Sequence, residues 1–272
     1  MGNAGMSGFP VDGHVHFHRL EQVAPTLDAA AANFTRVSGR EAGLVGAILL
    51  VQTAREGVFE CLLETGAIGD WRFSAVAAEP QTVIAQSGSV SIAVVCGQQI
   101  RCERGLEVLA LGTVKRYPEG RPLEETLDLV VGDGTLAAVP WGFGKWTGQR
   151  GELVRGLFRR RSPDAMFVGD NGGRVQALGL PSLVRTASEA GFRVLPGTDP
   201  FPFGGDHRRV GAFGFLAATE PGMDQPWTGL RHWLEANAGS PAAYGRALGP
   251  VRFVFNQVWI QVYNRTLRKA AA

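Results

Sequence analysis

Val11-Asp12-Gly13-His14-Val15-His16-Phe17-His18 is the stretch on which the reading of this chain turns. The chain has five histidines, and three of them stand in these eight residues. On a β-strand, side chains alternate between the two faces. Asp12, His14, His16 and His18 are therefore expected on one face, and Val11, Val15 and Phe17 on the other, with Gly13 between them. An apolar face packs; a face of imidazoles and a carboxylate binds. Neutral imidazole is a common ligand of zinc and other transition metals, and two at i and i+2 on a strand can converge on one ion. The plainer alternative is a surface strand that is merely rich in histidine, against which the apolar opposite face speaks.

Composition sets the frame around that strand. The 272 residues, 45% hydrophobic and 19% charged, suffice to bury the core of one large α/β domain or two small ones. A formal charge of +2 implies no polyelectrolyte partner. Arg159-Arg160-Arg161 and the run from Arg265 to Lys269 read as a solvated helix end and a tail, with no nucleic-acid-binding motif beside them. Cys61, Cys96 and Cys102 form neither a disulfide framework nor a CxxC pair, so a reducing, cytoplasmic setting is expected. Residues 1–9 read as a flexible leader without the apolar core of a signal peptide, and 10–272 as a single domain. The longest apolar run, Ala42 to Val51, is too short to span a bilayer.

Along the chain, strand and helix signals alternate. Leu20 to Val37 reads as a helix closed by Gly39, and Ala42 to Gln52 as a strand buried on both faces. Phe59 to Ile68 reads as a short helix, and Phe73 to Ala78, Thr82 to Gln86 and Val90 to Val95 as short strands. Strands are expected at Leu106 to Thr113, Leu136 to Pro140, Ala165 to Val168 and Arg193 to Leu195. Helices are expected at Pro122 to Val131, Glu152 to Arg161, Ser182 to Ala190 and Trp227 to Asn237. Val210 to Ala218 suits a strand or a buried loop, and Val251 to Arg268 suits a C-terminal helix. This alternation and this length predict a parallel (β/α) TIM-like barrel, distorted or seven-stranded. A doubly wound open sheet is the alternative, and it lacks the G-x-G-x-x-G that would mark it.

In such barrels ligands bind at the C-terminal ends of the strands. His14, His16, His18, Gln98, Gln99, Lys145, Asp170, Asn171 and Asp199 all follow or end expected strands, with Asp206 and His207 shortly after. Gly204-Gly205-Asp206-His207-Arg208-Arg209 could bring backbone amides and two guanidinium forks to an anion, or could be a surface loop.

These motifs resemble a family. Val-Asp-Gly-His14-Val-His16-Phe is similar to the opening His-x-His of the amidohydrolase-like metal-dependent hydrolases, and more so to that of the PHP domain. Cys96-Gly97-Gln98-Gln99-Ile100 followed by Glu107-Val108-Leu109-Ala110-Leu111-Gly112 resembles the PHP segment with a strand-end glutamate and an E-V-L-A-L-G strand. Gly197-Thr198-Asp199 resembles the final strand with its metal-binding or proton-shuttling aspartate. The resemblance covers roughly residues 10 to 215. It implies a metal centre at which His14, His16 and Asp199 are ligands. Three departures stand against a multinuclear centre: Gln99 where the family places a bridging glutamate, Trp141 where it carries a histidine, and Pro200 and Phe201 after Asp199 in place of a further histidine. One divalent ion (Zn, Mn or Fe) remains, with His207 or water completing the set. Lys145, just beyond Trp141, could hold an anionic substrate.

Two functions follow. The first is a metal-dependent hydrolase of a phosphoester or C–N bond, with Asp199 and Lys145 as catalytic residues. Its expected contacts with a small anionic substrate are His18, Gln99, Asn171, Arg208 and Arg209. The second is a barrel depleted of metal that binds an anionic metabolite or a protein partner without catalysis.

Overall fold

The computed structural model describes residues 8–54 and 56–270, with side chains through 263. Most of the expected leader, and the side chains of the basic run from 265 to 269, lie outside the described residues. Strand β1 begins at Phe9 (Phe9–Val15) and is buried throughout. It runs parallel to β2 (Gly43–Gln52), and between them the register slips: Asp12 pairs with Ile48, but Val15 pairs with Leu50. Three residues on β1 thus face two on β2, which is a β-bulge. The extra residue resets the alternation. Val11 points inward with Ala47 and Leu49, whereas Val15 joins Ile48 and Leu50 on the outer side. Asp12 therefore does not share a face with His14 and His16, as strict alternation predicts.

Ten further strands follow: β3 (Ala67–Ile68), β4 (Trp71–Val76), β5 (Glu79–Ser87), β6 (Val90–Arg101), β7 (Glu107–Leu111), β8 (Leu136–Pro140), β9 (Phe167–Asp170), β10 (Val194–Pro196), β11 (Phe213–Ala217) and β12 (Ala242–Gly245). They form one sheet whose main path is β10-β9-β8-β7-β6-β2-β1-β11-β12, curled into a nearly closed barrel. The sheet is mixed. β1, β2, β6, β8, β9 and β10 run one way; β7 and β11 run against their neighbours. The expectation of an all-parallel TIM-like barrel is corrected here. Its failure has a local cause: only residues 102–106 join β6 to β7, and a parallel crossover needs about a dozen or more. β6 is twelve residues long, and its second edge is shared by β5 along Val90–Val95 and by β7 along Gly97–Arg101. β12 was not expected from the sequence.

Among the described residues seven α-helices surround the sheet: α1 (Val23–Ser38), α2 (Val58–Thr65), α3 (Leu123–Gly132), α4 (Gly148–Arg160), α5 (Ser182–Glu189), α6 (Pro226–Ala236) and α7 (Pro250–Ala270). α1 and α2 cover the outer side of β1, β2 and β6 through Leu27, Phe34, Phe59 and Leu62. α3, α4 and α5 cover β7 to β10 through Leu127, Leu157 and Val184. The inner core contains Leu49, Val95, Leu109, Phe167, Leu195 and Phe215, joined by Trp227 and Leu230 of α6. α6 closes the end of the barrel remote from the histidines. Its N-terminal amides at Trp227 and Thr228 donate to the Glu79 carboxylate, and Arg193, just before β10, donates to the carbonyl of Leu234. No helix among the described residues is long and apolar enough to cross a membrane.

The barrel closes where β10 returns to β1. A Cβ on Gly13 would lie 2.5 Å from the Pro196 carbonyl oxygen, and one on Gly197 would lie 2.3 Å from the His14 amide nitrogen. Only glycine lets these backbones meet. The Asp199 amide donates to the His14 carbonyl at 2.8 Å across the seam. Asp12, on the outer side of the bulge, fastens it. Its carboxylate accepts from the Thr198 amide (2.8 Å), the Thr198 hydroxyl (2.7 Å) and the Gly211 amide (2.9 Å). Burial outweighs the lowering effect of these donors and leaves the Asp12 carboxyl raised to about 6. Asp12→Asn turns an amide toward donors and is expected to cost about 3 kcal/mol. Gly13→Ala, which must part the strands, is expected to cost about 1–3 kcal/mol. Urea midpoints at constant m-value check both.

Candidate metal centre

The bulge that sends Asp12 outward brings His14 and His16 to the same open end of the barrel. Their Nε2 atoms lie 3.2 Å apart. The Gln99 side-chain oxygen, from near the end of β6, lies 3.1 Å from one and 3.2 Å from the other. Asp199 Oδ1, just after β10, lies 3.5 Å from His14 Nε2 and 3.6 Å from His16 Nε2. Asp199 Oδ1 and Gln99 Oε1 thus each approach the paired imidazole nitrogens, and His14, His16 and Asp199 form a group that could hold one ion. An ion at the centre of the triangle of His14 Nε2, His16 Nε2 and Asp199 Oδ1 would lie about 2.0 Å from each atom, which is the length of a zinc–nitrogen or zinc–oxygen bond.

The residues fit a cation on a second ground. Neither His14 Nδ1 nor His16 Nδ1 has a hydrogen-bond partner, and both are buried. His14 makes its polar approaches through Nε2, as His16 does toward Gln99, Asp199 and the other ring. Either a proton on Nε2 or a bound cation can join these nitrogens to the oxygens around them. The surroundings add to the demand. Glu56 Oε2 lies 3.6 Å from His16 Nδ1, and Glu107 stands at the same end of the barrel, so three carboxylates face the single ammonium of Lys145. A divalent ion would balance that excess.

The two rings differ in their electrostatic setting. Burial lowers the His14 imidazole below its ordinary range, which keeps it neutral and able to donate its lone pair. Burial pushes His16 the same way, but Glu56 and Asp199 outweigh it and hold His16 above. Burial pushes Asp199 up, while His14, His16 and Lys145 together hold it below the usual carboxylate range. Burial likewise raises Glu56, and its contacts with His16 and His18 overcome that and hold it well below.

The remaining groups position this set. Asn171, just after β9, donates from Nδ2 to Asp199 Oδ2 at 3.0 Å and accepts the Gly173 amide on Oδ1 at 3.0 Å, fixing the carboxylate's second oxygen. Its loop is shaped by Asp170, which Arg174 grips through Nε and Nη2. Asp199 itself has φ of 43°, a left-handed backbone that aims its side chain back at β1. His18 donates from Nε2 to the Pro200 carbonyl at 2.8 Å, places Nδ1 3.1 Å from Glu56 Oε1, and stacks on His16. Lys145 reaches the Glu107 carboxylate at 2.5 Å.

Of the residues expected from the sequence, His14, His16, Asp199 and Gln99 converge, with His18, Asn171 and Lys145 beside them. His207 lies in the single turn Asp206–Arg209 and does not join the converging atoms. Arg209 is engaged with the buried Asp206, and Arg208 projects to solvent from the same turn, so neither is brought to the ligand atoms. Glu56 and Glu107 were missed. Glu107 opens β7, and only the reversal of that strand carries its first residue to the end where the parallel strands finish. The short connection after β6 is the signal that would have found it. Glu56, four residues past β2, followed the same strand-end rule and was passed over.

No known family's sequence pattern matches the chain, and no curated protein does. Among solved structures, PsfC from Pseudomonas syringae PB-5123 is similar at a TM-score of 0.58 and 16% identity, covering 96% of this chain and 100% of that one. The lesion-specific endonuclease PfuEndoQ from Pyrococcus furiosus is similar at a TM-score of 0.43 and 13% identity, covering 76% of this chain and 51% of that one. The likeness to PsfC is one of fold, over almost the whole of both chains.

Proposed function

We propose that this protein is a metal-dependent hydrolase acting on a phosphoester or C–N bond of a small anionic substrate. The observation that carries the reading is the approach of Asp199 Oδ1 and Gln99 Oε1 to the paired Nε2 atoms of His14 and His16, at 3.1–3.6 Å. His14, His16 and Asp199 would hold one Zn, Mn or Fe ion, with the neutral Gln99 oxygen beside them as the weakest donor. Such an ion supplies Lewis acidity and a water whose pKa falls from ~15.7 toward ~7.

The chain's own groups do the rest. Gln99 is neutral and would give way to substrate or water more readily than the glutamate of the resembled family. Asp199 takes the proton of the attacking water on Oδ2, while Asn171 keeps the carboxylate from turning away. Lys145, partly exposed at the mouth, exchanges Glu107 for the anionic group of the substrate and steadies the charge that builds on it. Glu56 and His18 brace His16 from behind and keep its ring aimed.

Metal analysis of the purified protein is expected to find one divalent ion per chain, and none in His14→Ala/His16→Ala. Asn171→Ala is expected to weaken metal affinity by about 10–100-fold while the fold stands. With p-nitrophenyl phosphate, its bis-ester and simple amides as substrates, chelation should abolish turnover and metal should restore it. Lys145→Ala should lower kcat/KM for the anionic substrates by about 10–100-fold. A protein that binds no metal overturns the reading. Full occupancy without turnover of any of these leaves the ligand-binding barrel in its place.

A further inference from the structure

The barrel end that carries the metal ligands is crossed by α7, and the helix is held there by its inner side. Phe253 packs edge-on against Phe143 at 4.9 Å, Tyr263 packs on Phe203, and Arg252 donates to the Gly204 carbonyl at 2.6 Å and to Asp206 at 3.1 Å. The chain leading into the helix is tied as well, since the Leu248 amide donates to the carbonyls of Gly172 and Arg174. Asn256, on the same inner side, is fully buried.

The outer side is the reverse of what a solvated helix shows. Val251 is 83% exposed, Val254 59%, Val258 57% and Trp259 45%, with Phe255 beside them and its ring 5.9 Å from that of Trp259. These positions are spaced i, i+3, i+4, i+7 and i+8, which makes one continuous stripe. Contiguous apolar surface of this kind marks an interaction site. The sequence adds Arg265, Arg268 and Lys269 in the last turns of the helix and places no Asp or Glu anywhere between Pro250 and Ala270.

We propose that the outer side of α7 is a docking surface for an anionic lipid bilayer, on which the helix lies in the plane of the interface. The charge selects this occupant. A second copy seated on the stripe would bring two helices together, each adding Arg265, Arg268 and Lys269 and no acidic residue, so like charge would oppose the pairing. An anionic surface offers that charge its complement and takes the valines, Phe255 and Trp259 into the boundary between headgroups and acyl chains, where tryptophan is favoured. The helix is 21 residues long, about 31 Å, and lies on the membrane without crossing it. The proposal is independent of the hydrolase reading.

Flotation of the intact protein with vesicles tests it. Vesicles of phosphatidylcholine with one-third phosphatidylglycerol should carry the protein upward, and pure phosphatidylcholine vesicles should leave it behind. Raising the salt to 0.5 M should weaken binding at least about tenfold, since the charge contribution is screened. The double variant Val254→Glu/Val258→Glu changes only exposed positions, so its melting temperature should match the wild type while its flotation is lost. Protein that stays at the bottom with anionic vesicles overturns the proposal. So does flotation that the double variant retains. A dimer in light scattering that the double variant dissociates, with no vesicle binding, also overturns it and places a second copy on the stripe.

Discussion

The approach of β1 and β10 at Gly13 and Gly197 is the contact on which the rest of this protein depends. Two backbones meet there at distances that a methyl group on either glycine would forbid. A hydrogen bond from the Asp199 amide to the His14 carbonyl then fixes a ligand on one strand end against a ligand on the other. Asp12 holds the seam from outside by accepting from both the Thr198 segment and Gly211. A buried carboxylate is costly unless its lone pairs are filled, and here the filling groups belong to the segments that must be brought together. Barrel closure and assembly of the candidate metal centre are therefore one event.

The centre that results is economical in charge. Two imidazoles, one carboxylate and one amide oxygen form a cage with fewer formal charges than an all-carboxylate site would carry, and Glu56 and Glu107 stand behind it as supports. Burial favours neutral His14, and nearby carboxylates offset burial at His16. The two rings thus differ in environment although they sit two residues apart. Lys145 and Glu107 neutralise one another at the mouth, so the cation becomes available only to a group able to compete with a carboxylate.

Much of this was legible from local pattern. The helices and most strands fall where periodicity and turn residues placed them, because each buries a stripe or a face that its own spacing defines. The direction of strands was less legible. Alternating strands and helices suggested a parallel barrel, yet the short link between Arg101 and Glu107 turns β7 back, and that reversal delivers Glu107 to the site. The bulge in β1 was not legible at all. A strand of strictly alternating residues looks the same with or without an inserted residue, and only pairing with Ile48 and Leu50 reveals the slip. Arg209 shows the same limit: an arginine beside glycines suggests an anion site until a buried aspartate, Asp206, is found to hold it.

The sequence by itself determined the chemistry available to this protein: paired histidines on a strand, an aspartate after a Gly-Thr, glycines where strands must touch. Those properties are local, since residue type and spacing along one chain segment decide them. Tertiary structure alone decided which of these groups share a point. His14 and Asp199 are far apart in sequence, and their 3.5 Å separation rests on a barrel seam, a bulge and a reversed strand. Convergence of that kind depends on how segments pack against one another, and no single segment encodes it.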